Sequence, residues 1–169
     1  LAGFAFTDAA GEWDGFDVAM CRGVAAAVFG DPTAIKFTPT TGKTRFTALA
    51  SGEVDVLFRN TTWTFSRDVD LKFEFVGVNY YDGQGFMVPK ALGVSSAKEL
   101  DGATVCIQTG TTTELNIQEA ANAAGIEITL QTFEDFNIVM ENFEAGTCNA
   151  VTTDGSGLVA RKFQAGDAG

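Results

Sequence analysis

Residues 103–114 read ATVCIQTGTTTE. A short apolar run is followed by one glycine and a row of threonines, and then by ELNIQEAANAAG, residues 114–125, a segment of good helix formers. A strand therefore hands over to a helix where the first backbone N–H groups of the helix have no partner within it. Gly110 lets the backbone approach a ligand closely, and Thr111, Thr112 and Thr113 supply a cap and hydroxyl donors. A single threonine here would read as a helix cap. The succession after glycine points instead to a place for an anion such as a carboxylate.

Working outward, the second half alternates regularly. DGATVCI, 101–107, reads as a strand introduced by a small capping box, Ser96 with Glu99. The helix after it stops at Gly125; IEITLQT, 126–132, reads as a strand, EDFNIVMENFEAG as a helix stopping at Gly146, CNAVTT as a strand, and a short helix starts near Gly155. The first half shows the same alternation: GFDVAMCRGVAAAVFG, 15–30, as a helix, IKFTP, 35–39, as a strand, KTRFTALASG as a helix ended by Gly52, and EVDVLF, 53–58, as a buried strand. From Asp70 to Lys90 the aromatic and β-branched residues read as extended chain crossing between two bodies. Such βα alternation predicts an α/β fold with parallel sheets flanked by helices, and ligands beyond the carboxyl ends of the strands.

Two further strand ends carry polar clusters. After EVDVLF comes RNTTWTFSRD, with Arg59, Asn60, Thr61, Thr62, Thr64 and Arg67. The Arg67 guanidinium fork matches the two oxygens of a carboxylate, though an arginine in a loop is also ordinary in a surface ion pair. Trp63 reads as packing or a pocket wall. Asp154 follows CNAVTT directly, where a carboxylate either accepts from a ligand ammonium or caps the next helix. Together the three ends offer a guanidinium, a cluster of hydroxyls and N–H groups, and a carboxylate. That set complements a zwitterion.

Composition limits the alternatives. The chain has 169 residues, 46% of them hydrophobic, enough for a buried core in one ordinary domain or two small lobes. A net charge of −11 opposes binding to nucleic acid or an anionic membrane. The absence of histidine removes the commonest general base and metal ligand, so neither a metal nor a cofactor is expected, and a Ser-His-Asp triad is excluded. Cys21, Cys106 and Cys148 lack C-x-x-C spacing and read either as buried thiols or as one pair and a leftover. No stretch approaches the ~20 apolar residues that span a bilayer. A chain beginning at Leu1 without a charged leader reads as a mature or cut form.

The runs GEWDGFDVAMCRGVAAAVFGD, RFTALASGEVDVLFRNTTWTFSRD, GVNYYDGQGFMV and LDGATVCIQTGTTTELN resemble those of periplasmic polar amino-acid-binding proteins serving ABC transporters, solute-binding protein family 3, and within it the general L-amino-acid-binding subgroup. The resemblance implies a periplasmic-binding-protein-like two-lobed clamp, with lobe 1 over residues 1–86 and lobe 2 over 87–169. It implies that Arg67 grips the α-carboxylate of a free L-amino acid, with Thr62 and the backbone around Asn60 assisting and Thr112 gripping from the other lobe. Asp154 would hold the α-ammonium, Gln108 would help line the side-chain region, and Phe4 and Phe6 would form an aromatic wall. Contacts of this kind reach only the head group, which accounts for broad side-chain tolerance.

In that family a strand precedes the position of Leu1 and the chain returns to lobe 1 after lobe 2, so the resemblance implies an incomplete first lobe, truncated at both ends, and self-association through its open surface. It also implies a Cys106–Cys148 disulfide in an oxidising periplasm, with an inner-membrane ABC permease as partner. A non-binding fragment, a ligand-sensing domain and a dehydratase-like enzyme use the same fold and remain the alternatives. Catalysis is not expected, because no histidine is available and Glu114 and Asp154 read as helix-terminal and ammonium-binding groups.

Overall fold

The computed structural model describes residues 1–166; positions 167–169, the end of the expected second lobe, lie outside the described residues. Two short strands, β1 (Phe6–Thr7) and β2 (Trp13–Asp14), pair antiparallel. Asp8 closes the turn between them, its Oδ1 accepting from the Ala10 N–H at 2.8 Å and the Glu12 N–H at 2.9 Å. Helix α1 (Phe16–Phe29) begins after Gly15, whose φ of 120° suits only glycine and whose missing side chain leaves room for the Phe4 carbonyl. That carbonyl accepts from the Asp17 N–H at 2.8 Å, satisfying one of the donors a helix start exposes. The helix ends as the sequence predicts, at Gly30 in the left-handed conformation.

Helix α2 (Arg45–Ala50) forms within the expected helical segment, but the strands expected on either side of it do not. Across 35–39 the Ile35 N–H turns back to the Thr33 carbonyl at 2.8 Å, and at the start of 53–58 the Glu53 and Val54 N–H groups turn back to the Ala48 carbonyl at 3.0 and 3.3 Å, with Val56 51% exposed. An apolar run indicates what a segment can bury, whereas a strand also needs a neighbouring backbone to complete its ladder. Neither segment has such a ladder among the described residues. A five-residue π-type turn, Ser66–Asp70, follows, and the chain from Leu71 to Gly83 has no regular structure.

The second half builds a four-stranded sheet. Strand β3 (Gln84–Met87) comes first; short 3₁₀ turns at Lys90–Leu92 and Ala97–Glu99 lead to β4 (Thr104–Gln108). Then come α3 (Thr112–Ala124), β5 (Thr129–Phe133), α4 (Phe136–Glu144), β6 (Ala150–Asp154) and α5 (Gly155–Gln164). The order across the sheet is β3-β6-β4-β5, with β4 parallel to both β5 and β6 and β3 antiparallel to β6. Ser96 caps its turn through the Lys98 N–H, but Glu99 reaches back to the Ser95 N–H rather than closing the expected reciprocal box on Ser96.

Side chains alternate across a strand, and here both faces are covered. Cys106 and Val151 join Val139, Met140, Cys148 and Leu158 in one cluster, while Val105 and Ala150 join Leu100 in another. A disulfide joins Cys106 to Cys148, with Cα atoms 5.6 Å apart, and Cys21 is a free thiol.

The described residues group into two compact units. One holds Leu1, Gly3–Ile35 and Phe58–Gly83; the other holds Ala2, Lys36–Leu57 and the chain from Gln84 onward. In this division Lys36–Leu57 groups with the chain after Gly83.

Candidate functional site

Within the second unit, the turn after β4 assigns different work to each threonine. Thr111 is the cap: its Oγ1 accepts from the Glu114 N–H at 3.3 Å and donates to the Gln108 carbonyl at 2.7 Å. Thr113 is buried, its hydroxyl 2.9 Å from that of Thr111. Thr112, at the first helical position and half-buried, has neither role. Glu114 turns its carboxylate back to the Gly110 N–H at 2.9 Å, with the Thr109 hydroxyl 3.3 Å away. The carboxylate therefore serves the helix start.

Asp154 is the last residue of β6 and occupies the cap position of α5, but its side chain makes no cap hydrogen bond to that helix. Because β4 and β6 are parallel neighbours, their carboxyl ends share one edge of the sheet. Gln84 in β3 stands opposite Asp154, and cross-strand partners project to the same face, with Cβ atoms ~5 Å apart. The Gln84 amide nitrogen lies 3.2 Å from the Thr113 carbonyl and 2.9 Å from Thr152 Oγ1. Thr152 precedes Asp154 by two residues and so shares its face. These contacts bring the amino end of α3, with Thr112, to the same face and edge as Asp154.

Gln108 ends β4 at this edge but is 5% exposed, and its amide donates to the Glu134 carbonyl at 2.9 Å. Its donor holds the neighbouring loop. Arg45, which sequence reasoning did not single out, is 2% exposed, donates to the Gly110 carbonyl at 3.3 Å and lies over the Phe46 ring at 4.8 Å. A cation in the first turn of a helix opposes the helix dipole, and that mismatch was the available signal. Gly110, at φ 75°, lies against the Gly42 carbonyl so closely that a Cβ would sit 3.2 Å from its oxygen, and Lys43 pairs with Glu134 at 2.6 Å on the surface.

Within the first unit, Arg67 lies in the π-type turn, 7% exposed, with Nη1 donating to the Thr62 carbonyl at 2.8 Å and its own N–H 3.3 Å from Thr64 Oγ1. Asn60 accepts from Arg59 at 3.2 Å. Trp63 stacks on Phe75 at 5.4 Å, and its indole N–H donates to Asp68 at 2.8 Å, as befits a packing aromatic. Phe4 meets Tyr80 edge to face at 5.0 Å and Phe16 at 6.1 Å, while Phe6 lies in β1 and is 37% exposed. Asp17 is buried in the first turn of α1; burial pushes its carboxyl above the usual range, opposed by the Arg59 charge. The Cys21 thiol is likewise pushed up, by burial and then by Asp17. Among the described residues no group of three or more histidine, cysteine, aspartate or glutamate side chains is arranged to hold a metal.

The chain is 60% identical over 162 residues to the glutamate/glutamine/aspartate/asparagine-binding protein BztA of Rhodobacter capsulatus, covering 96% of this chain and 48% of that protein. It is 56% identical over 163 residues to the general L-amino acid-binding periplasmic protein AapJ of Rhizobium johnstonii, with 96% and 48% covered. Among solved structures, a periplasmic binding protein of an ABC transporter from Brucella ovis, with glutathione bound, superimposes with a TM-score of 0.92 at 52% identity, over 97% of this chain and 52% of that one. An ancestral arginine-binding protein bound to arginine gives 0.87 at 27% identity, over 99% and 72%. The fold is thus of the periplasmic-binding-protein kind, α/β with a parallel-rich sheet flanked by helices, and the chain spans about half the length of the curated relatives it matches. Residues 1–124 match the bacterial extracellular solute-binding proteins, family 3, and the chain belongs to that family.

Proposed function

We propose that this chain binds a free L-amino acid as the solute-binding component of an ABC importer, working in the periplasm and handing its ligand to an inner-membrane permease. In the first unit the Arg67 guanidinium, with Thr62 and the backbone around Asn60, takes an α-carboxylate; in the second unit Thr112 at the amino end of α3 is the group for it. Asp154 takes the α-ammonium. The observation that carries this reading is the Gln84 bridge: its amide reaches the Thr113 carbonyl while its partner across the ladder is Asp154. A helix N-terminus and a carboxylate at one sheet edge complement the two poles of a zwitterion.

Relatives named for several amino acids at once support recognition through the shared head group. Charge-assisted hydrogen bonds contribute ~1.5–3 kcal/mol each, so a few of them supply the ~8 kcal/mol of micromolar binding after the cost of immobilisation. The role is binding, not catalysis, since Glu114 is engaged by Gly110 and Thr109. A thermal-shift screen against the proteinogenic amino acids tests the reading, because a ligand that binds only the folded state raises its melting point. Several amino acids raising it is the expected result; none doing so overturns the proposal.

Self-association through the first unit is part of the same reading. Phe16, Met20, Val24 and Val28 recur at helical spacing along α1 and are all exposed. Sedimentation showing a monomer at every concentration would remove it.

A further inference from the structure

Gln84 is the first residue of β3, and its carboxamide uses its nitrogen toward two elements at once: the Thr113 carbonyl in the first turn of α3 at 3.2 Å, and Thr152 Oγ1 in β6 at 2.9 Å. The chain of bonds continues, since the Thr152 hydroxyl donates to the Gly85 carbonyl at 2.7 Å and so returns to β3. Thr152 is fully buried and Gln84 half-buried, and in such surroundings successive hydrogen bonds reinforce one another. A carboxamide has two N–H donors, one for each contact. Glutamate in its place has none when ionised, and leucine none at all.

The elements tied together are the ones that carry the two poles. Helix α3 presents Thr112 one residue before the tethered carbonyl, and β6 ends in Asp154, two residues beyond the tethered hydroxyl and directly across the ladder from Gln84. We propose that Gln84 is a positioning residue that sets the spacing between the amino end of α3 and Asp154, and thereby between the groups that receive the carboxylate and the ammonium of one amino acid. This rests on the binding reading above. Gln84 touches no ligand in this account; it acts through Thr113 and Thr152.

The test uses Gln84→Leu and Gln84→Glu in the full chain, with L-glutamate and L-glutamine as calorimetric probes. Alongside it run backbone amide exchange at Thr113 and Glu114 in the ligand-free protein and the melting temperature. Loss of two ordinary hydrogen bonds predicts about tenfold weaker binding for leucine and a larger loss for glutamate. Exchange is expected to rise at the first turn of α3 while the amides of β4 and β5 keep their protection.

Wild-type affinity in both variants, with unchanged exchange in α3, overturns the proposal while leaving the binding reading intact. So does a uniform rise in exchange across the sheet with a fall in melting temperature and unchanged affinity below it, the signature of a merely structural residue. If the wild-type chain binds neither probe nor any other amino acid, the binding reading fails and takes with it the claim that Gln84 spaces ligand-binding groups. The exchange data then decide separately whether Gln84 holds α3.

Discussion

The guanidinium of Arg67 is held by the carbonyl of Thr62, with Nη1 2.8 Å from the oxygen. Burial and this bond hold a planar guanidinium in place. Lysine offers a single point charge and cannot reproduce that fork. Arg67→Lys is therefore expected to weaken amino-acid binding by at least ~10-fold and Arg67→Ala by ~100-fold or more, on the scale of one or two charge-assisted hydrogen bonds. Calorimetry with a panel of amino acids checks this.

Substitutions in the threonine row are expected to separate stability from binding. Thr111 caps α3, so Thr111→Ala is expected to cost ~1 kcal/mol of folding stability, read from urea unfolding. Thr112→Ala removes a hydroxyl that is not the cap, and is expected to lower affinity by about tenfold or less, because the backbone N–H remains. Equal effects of the two substitutions on the urea midpoint would contradict the division of roles.

The Cys106–Cys148 disulfide closes a loop with a sequence separation of 42 residues inside a buried cluster. Chain-entropy arguments give a stabilisation of ~4 kcal/mol for a loop of this size. Adding reductant, or replacing both cysteines by serine, is expected to lower the urea midpoint clearly. An unchanged midpoint would show that the pair contributes nothing.

Asp17 gives stability a pH dependence of definite sign. Burial raises its carboxyl in the folded state, so the folded protein holds this proton more tightly than the unfolded chain does. Its contribution is most favourable below the unfolded value of 3.8 and declines as pH rises through the folded value. The melting temperature of Asp17→Asn minus that of the wild type should therefore grow in favour of asparagine between acid and neutral pH. A difference that is flat or reversed would contradict the burial of an ionising group there.

How much of this was legible in the sequence differs between the halves. Each βα segment from Ala103 to Gln164 formed near its expected place, because period, caps and stop glycines agreed locally, as at Thr111 and Gly125. The strands expected at 35–39 and 53–58 failed because pairing is a non-local property that an apolar run such as EVDVLF does not encode. At the strand ends, position marked out the threonine row and Asp154, while the resemblance alone singled out Thr112 and assigned Asp154 to the ammonium. Gln84 and Arg45 could not, since their roles depend on which backbone carbonyls the fold brings to them. Gln108 lies at the right strand end, yet its amide serves the Glu134 carbonyl.

The central claim is that recognition rests on both charges of the amino-acid head. Isothermal calorimetry should compare whichever L-amino acid binds most tightly with two analogues that keep its side chain, one lacking the α-ammonium and one lacking the α-carboxylate. The account predicts that each analogue loses at least ~100-fold in affinity. Near-parental binding of either analogue would contradict it.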